Sequence, residues 1–385
     1  MVLVILALGC FGLLTSTVFA GMVMAGGRHH WCEKTAAGRR YAPALTLLKP
    51  VHGDEAGLEA HLATFFEQDY PVYEILFCAR DEADKGLAVA RRVAAKYPQV
   101  AARFFWTGDA PYINAKVRSL EVMAAEARYD IYVISDSDVR VTREYLREVA
   151  APFQDAKVGG MTCLYRGVAA EGGLWARLEA VGMSVEMTGG VLVANMLEGM
   201  QFVLGPTMAF RRAAVEQMGG FRVTAEYCAD DFVLGNEAYR LGWKVALSHH
   251  GIDHMVLNST FWASMKHQVR WMKSTRFSRT KGHFGTSLTF AMPFALLVLG
   301  ACWAMGRPWL GALLFGWGLL TRWAIAWAAG WRTVGERSWF ELGVLYPLRD
   351  LMGFGFWAAS YTSSRILWRG RVFELLPGGK MRAAE

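Results

Sequence analysis

The run from Val2 to Gly26 carries no charged residue. A bilayer's hydrocarbon core is about 30 Å thick and a helix rises about 1.5 Å per residue, so this run is long enough to cross it. In lipid every backbone N–H and C=O must be satisfied within the segment, which leaves a single such run only the helix. The stretch is long for the core of a signal peptide, so residues 1–27 read as an uncleaved anchor. Arg28, Lys34, Arg39 and Arg40 follow it. Three more apolar stretches come late, at about 286–304, 308–330 and 339–361.

Between these ends the chain changes character. It is 54% hydrophobic and 19% charged overall, too apolar for an ordinary soluble enzyme and too charged for a bundle wholly in lipid. The middle of the chain is mixed and large enough for one domain, 28–260. Strand-like runs at 44–51, 73–78, 102–106 and 131–135 alternate with helix-like ones at 55–67, 85–97 and 114–128. That alternation predicts an α/β fold with a doubly wound, mostly parallel, Rossmann-like sheet. Such sheets bind ligands at the carboxyl ends of their strands. No glycine-rich phosphate loop of the usual spacing is present, so any bound diphosphate must be neutralised by metal and basic side chains.

Acidic residues gather where the expected strands end. Asp136 and Asp138 follow the buried run IYVIS, and two carboxylates two residues apart suit Mg²⁺ or Mn²⁺. An Asp-rich turn leading to a helix near Thr142 would look similar. Asp230 and Asp231 open a helix-like run, where acids serve as caps; a buried one with a raised pKa could instead be a general base. Asp81 follows the second strand, placed either as a turn former or as an acceptor for a base N–H. Lys49 and Lys116 read as phosphate partners or as solvated lysines.

From Lys266 to Lys281 there are six cations and no acid, interleaved with Trp271 and Phe277 and preceded by Trp262. Aromatic–basic interleaving also occurs in nucleic-acid binders, but this stretch abuts an apolar run. It is therefore expected to be an interfacial helix, 261–283, on anionic lipid headgroups, with no nucleic-acid partner. Arg270 and Trp271 are expected to face the active site, and Lys273, Arg276 and Arg279 the lipid phosphates. The positive-inside rule then puts the preceding domain in the cytoplasm, at the inner membrane if the protein is bacterial. The remainder, 284–385, reads as a membrane region with a basic tail containing Arg365, Arg369, Arg371, Lys380 and Arg382. Three crossings would put that tail outside, while its charge favours the inside. The stretch 339–361 also holds Glu341, Arg349 and Asp350, and is expected to lie partly in the interface or to re-enter. The six cysteines have no metal-ligand spacing, and nothing in their pattern suggests a disulfide framework.

The order of these motifs resembles a known family. LLKPVHGDEAGLEAHLATFFEQDYPVYEILFCARDEAD, NAKVRSLEVM, DSDVRV, the ADD of AEYCADDF and the RW of HQVRW resemble ceramide glucosyltransferases, from about Leu45 to Arg276. The resemblance implies an inverting GT-A glycosyltransferase that uses a UDP-sugar. It implies Asp81 on the uracil, Lys49 and Lys116 on the nucleotide, and Asp136 and Asp138 on the diphosphate and metal. Asp231, with Asp230 beside it, would be the base, and His267, Gln268, Arg270 and Trp271 would stand near the diphosphate and acceptor. His267 departs from the family, which usually has Gln or Arg there. The expected reaction moves a hexose, glucose by preference, to the hydroxyl of ceramide. A hopanoid acceptor, a processive polysaccharide synthase and a silent lipid-binding scaffold are the alternatives.

Overall fold

The computed structural model describes residues 1–33, 41–368 and 370–384. Lys34, Arg39, Arg40 and Arg369, counted above among the flanking cations, lie outside the described residues.

The anchor is one helix, α1 (Val2–Cys32). The catalytic-type domain then runs β1 (Leu45–Pro50), α2 (Leu58–Phe66), β2 (Tyr73–Ala79), α3 (Lys85–Lys96), β3 (Ala101–Trp106), α4 (Ala115–Glu126), β4 (Ile131–Ser135), β5 (Val139–Arg140) and α5 (Tyr145–Ala150). Next come β6 (Val158–Ala169), α6 (Leu174–Gly182), α7 (Thr188–Glu198), β7 (Thr207–Arg211), α8 (Arg212–Gln217), α9 (Asp230–Arg240) and β8 (Lys244–Val256). The eight strands form one sheet in the order β3-β2-β1-β4-β7-β6-β8-β5. Strands β3, β2, β1 and β4 are parallel, β7 is antiparallel to both neighbours, and β6 runs parallel to β8. The expected alternation therefore folds as a mostly parallel α/β sheet.

Period-two side-chain alternation explains its two-sided core. Leu47, Ile75, Phe77, Ile131 and Val133 face one layer with α2, α3 and α5. Leu48, Leu76, Cys78, Tyr132 and Ile134 face the other, with α4 and α9. Helix starts follow local chemistry: Asp84 caps α3 through the Gly86 amide, and Asn114 caps α4 through the Lys116 amide. Gly235 lets α9 lie directly on the backbone of Phe202 and Val203, since a Cβ there would come within 2.4–2.6 Å of it.

The domain also contains an element that the sequence reading treated as ordinary globular chain. Leu174–Glu198 is a continuous apolar helix, α6 joined to α7 by a π-turn at Met183–Met187, and is long and apolar enough to cross a membrane. It packs on α1, where a Cβ on Gly26 would meet the Leu192 carbonyl at 2.6 Å. The His30 and His249 rings stack at 4.3 Å, tying the end of α1 to β8.

The C-terminal half comprises α10 (Phe261–Ser278), α11 (Thr280–Thr286), α12 (Met292–Ala304), α13 (Pro308–Ile325) with a π-helical extension to Thr333, and α14 (Tyr346–Ala359). Among the described residues, three helices are long and apolar enough to span a membrane: Val2–Cys32, Leu174–Glu198 and Pro308–Thr333. Exposed Trp303 and Trp309 mark the α12–α13 turn, as interfacial tryptophans do. The stretch 339–361 carries its charges inward. Asp350 accepts from the Ala291 and Met292 amides at 2.9 and 2.8 Å and from Arg322 at 2.6 Å. One buried carboxylate thus caps α12 and clamps α13 to α14.

The basic tail is folded. Strands β9 (Arg365–Trp368), β10 (Arg371–Leu375) and β11 (Met381–Ala383) form a separate antiparallel sheet. It docks on the catalytic-type domain: the Met381 amide donates to Glu226 O at 2.7 Å, and Lys380 pairs with the Glu226 carboxylate at 2.9 Å. The tail therefore lies on the same side of any membrane as that domain.

The docked sheet overturns the lipid-facing assignment on α10. Lys273 is buried and donates to Ser363 Oγ and Arg365 O, both at 2.8 Å. Arg276 donates to Ser360 O at 2.7 Å and stacks over Tyr361. Arg279 lies over Phe202 and Phe232. These cations serve carbonyls and rings of this chain, because a buried lysine is cheaper beside fixed acceptors than unpaired.

Asp350→Ala would leave Arg322 buried without its partner and two helix-start amides unsatisfied. Loss of about 3–5 kcal/mol is expected, as for a broken buried ion pair, seen as a lowered melting temperature in detergent. Asp350→Asn should fall between it and wild type.

Candidate active site

The strand ends of β1 and β4 and the start of α9 meet in one cleft. Lys49, at the end of β1, is fully buried. Its Nζ lies 3.2 Å from Ser135 Oγ, is also bonded to the Asp136 carbonyl, and stands 3.7 Å over the Phe65 ring. Burial pulls its pKa down to about 7, against Asp136 and Asp138, which pull it up. An arriving anion would add to that upward pull.

Lys116, in the first turn of α4, stands between two acids. Its Nζ is 2.7 Å from Asp136 Oδ1 and 3.6 Å from Asp230 Oδ2. Burial disfavours its charge, but Asp136 and Asp230 outweigh burial and hold its pKa above the usual lysine range. Asp138 turns the other way, with Oδ2 3.1 Å from His254 Nε2. Burial raises Asp138, but His254 and Lys49 prevail and bring it down to about 2. His254 responds in kind: burial lowers it, and Asp138 raises it above its ordinary value.

Asp231 is set apart by its donors. Oδ2 accepts the Gly205 amide at 2.8 Å, and Oδ1 accepts the Phe232 amide at 2.8 Å. Burial and then the neighbouring Asp230 push its pKa up to about 6, beyond what those amides and Lys116 offset. A Cβ on Gly205 would stand 3.2 Å from Asp231 Oδ2 and 3.8 Å from Asp136 Oδ2, so the two carboxylates flank one glycine. Asp231 is thus a protein-held carboxylate able to take a proton near neutrality, beside groups that hold negative charge.

Some buried oxygens here are left for a cation. Asp138 Oδ1 and Asp230 Oδ2 are buried without a hydrogen-bond partner, as is His254 Nδ1. Unpaired buried oxygens are costly, and hard cations take such ligands. Asp138, with Asp136 two residues before it, would supply oxygens to such an ion, while His254 holds the other Asp138 oxygen.

The other expected site residues are placed more loosely. Asp81 is exposed on the turn after β2, at the sheet's carboxyl edge but apart from the acidic cluster's hydrogen bonds. Arg270 Nη1 donates to Cys228 Sγ at 3.7 Å, which brings it beside the segment entering α9. Trp271 packs partly on the core, and its ring is 4.5 Å from that of His267. Gln268 is buried and its amide donates to Ser264 Oγ at 3.1 Å, so it serves the packing of α10.

Sequence reasoning missed His254, Gly205, Glu55 and Glu179. Glu55 Oε2 accepts from Ser137 Oγ at 2.6 Å, and burial raises its pKa. His254 has no motif of its own. Only the antiparallel pairing of Val139 with His254 brings it beside Asp138.

Comparison with known proteins gives the family and the fold. The model of glycosyl transferase family 21 matches residues 11–381. Ceramide glucosyltransferase 1 of Caenorhabditis elegans is 26% identical over 236 residues, 60% of this chain and 49% of that protein. The ceramide glucosyltransferase of Komagataella phaffii is 38% identical over 102 residues, 25% of this chain and 20% of that one. The chain spans about half the length of the first of these relatives, and less of the second. A mannosyltransferase from Pyrobaculum calidifontis, solved in complex with GDP-Man and Mn2+, superposes with a TM-score of 0.55 at 17% identity, covering 92% of this chain and 97% of that one. The shared fold is the GT-A type.

Lys116→Met should leave Asp136 and Asp230 facing each other without their common cation. A stability loss of about 3 kcal/mol is expected at neutral pH, read by thermal unfolding. The loss should shrink as the medium is acidified toward about pH 4, where carboxyls ordinarily protonate.

Proposed function

The chain belongs to glycosyl transferase family 21, and from that premise we propose that it is a membrane enzyme that transfers glucose from UDP-glucose to the primary hydroxyl of ceramide. Asp231 carries this reading. It is a carboxylate with its pKa near 6, held by two backbone amides and separated from Asp136 only by Gly205.

Asp231 takes the proton of the acceptor hydroxyl as its oxygen attacks the anomeric carbon. The new bond forms on the face opposite the departing UDP, so an α-linked donor gives a β-glycoside. Lys49 and Lys116 face the diphosphate, and Lys49 gains charge as the anion arrives. Asp81 accepts an N–H of the uracil at the strand edge. Arg270 reaches the diphosphate side of the segment before α9, and Trp271 stands on the acceptor side. Asp136 and Asp138 would hold Mg²⁺ or Mn²⁺, with His254 orienting Asp138. Such an ion offsets the charge that develops on the leaving diphosphate. The apolar helices admit an acceptor that barely dissolves in water. The cations of α10 and the C-terminal sheet favour a cytoplasmic catalytic face, where UDP-sugars are available.

The test is UDP release and lipid-product analysis with purified protein, UDP-glucose and ceramide. A β-linked glucosyl lipid is the expected product; release of UDP with hopanoid polyols alone would move the acceptor class. Asp231→Asn should lower kcat by roughly 10²–10⁴-fold with donor affinity retained. In wild type kcat/KM should fall about tenfold per pH unit below about pH 6, because protonated Asp231 cannot accept. That acidic limb should vanish in the variant, and an unchanged limb would assign the base elsewhere. Turnover undiminished in excess chelator would remove the metal from the mechanism, whereas restoration by Mn²⁺ after chelation is the expected result.

A further inference from the structure

Glu179 lies on α6, outside every recognised motif, and is almost completely buried at 1% exposure. Three donors converge on it. His267 Nδ1 is 2.7 Å and Asn258 Nδ2 3.0 Å from Oε1, and Ser264 Oγ donates to Oε2 at 2.7 Å. Gln268 in turn donates to Ser264 Oγ at 3.1 Å. A buried carboxylate surrounded only by donors is satisfied as an anion. An anion only accepts, so His267 must carry its hydrogen on Nδ1. In the neutral ring that leaves Nε2 as a lone-pair acceptor. His267 is about a quarter exposed, at 27%, so part of its side chain reaches solvent.

Its surroundings are amphipathic. On one side is Trp271, with Arg270 leading to Cys228 and the start of α9. On the other side, at the start of α10, Phe261 packs on Trp175 at 4.8 Å and on Trp262 at 4.9 Å, and Trp262 is 69% exposed. His267 thus stands along α10 between the aromatic pair at the helix start and the Arg270–Trp271 pair that follows it.

We propose that Glu179 is a positioning residue which fixes His267 with Nδ1 protonated, so that Nε2 accepts a hydrogen bond from an N–H or O–H adjacent to the hydroxyl that is glycosylated. The inference rests on the lipid-acceptor reading and refines it. The site selects acceptors that carry a second donor beside the reacting hydroxyl, with the alkyl chain on the Phe261–Trp262 rim. Glu179 and His267 lie on different helices, α6 and α10, so their pairing has no local signature in the sequence.

The experiment uses full-length protein in nanodiscs, UDP-glucose, and two chain-matched short acceptors. One is an N-acylated 2-amino-1,3-diol, which has donors beside its primary hydroxyl; the other is a plain primary alkanol. Wild type should prefer the first by about tenfold or more in kcat/KM, the worth of one hydrogen bond. His267→Phe keeps a ring against Trp271 but removes both nitrogens. Glu179→Gln can donate to Nδ1 and turn Nε2 into a donor. Both variants should raise KM for the diol and bring the preference to within about threefold, while KM for UDP-glucose stays within about twofold. Retention of the wild-type preference by either folded variant overturns the proposal. Equal loss on both acceptors with the ratio kept would also overturn it, since that marks a merely structural role. If Glu179→Gln does not fold, His267→Phe alone decides the outcome. Wild type inactive on both acceptors would instead overturn the lipid-acceptor reading itself.

Discussion

Four carboxylates and two lysines share the cleft, and the constraint that none of their charges can stand alone shapes what surrounds them. Lys116 lies between Asp136 and Asp230, Lys49 sits beneath Asp136, and His254 holds Asp138. Asp231 alone is held by backbone amides instead of a close cation. That difference separates the roles. Carboxylates beside cations stay ionised, whereas one facing an acid neighbour and burial is pushed up towards neutrality. The same fold thereby provides charge-bearing groups and a proton acceptor within one small volume.

Each of these groups comes from a different element, and the sheet order is what assembles them. Strands β1 and β4 are neighbours, so Lys49 and Asp136 emerge together. The antiparallel pairing of β4 with β7 brings the turn at Gly205 and Pro206 under Asp136. The β5–β8 pairing delivers His254 to Asp138. Gly235 then allows α9 to approach the 202–203 backbone closely enough for Asp231 to reach Gly205.

The membrane part is organised by the same rule of satisfied charge. Arg322 and Asp350 are both buried, and Asp350 also caps α12. The stretch at 339–361 therefore turns its charges into the protein, so hydropathy alone misjudges it. The folded tail likewise takes Lys273 away from lipid, and the end of α14 takes Arg276. A run of cations next to an apolar segment resembles a headgroup-binding face in one dimension. In three dimensions a docked sheet supplies carbonyls at fixed positions, and those acceptors compete with lipid phosphates at no cost in further ordering.

Local pattern was sufficient for the elements. Burial alternation put β1 to β4 and α2 to α4 within a few residues of their observed limits, because each is a short periodic segment whose signal is contained in its own residues. The carboxylates at Asp136, Asp138, Asp230 and Asp231 were legible for the same reason: they adjoin strand ends and a helix start. Long-range pairing was not legible. His254, Gly205 and Glu179 have no local signature, and Leu174–Glu198 fell within the domain 28–260 unremarked because a buried helix and a membrane-length helix share one composition. What the sequence alone determined was the set of elements and the acids at their ends. Tertiary structure decided which acid gains a cation and which is left to take a proton, since a charge's environment is set by neighbours distant in sequence that only the folded sheet brings within hydrogen-bonding reach.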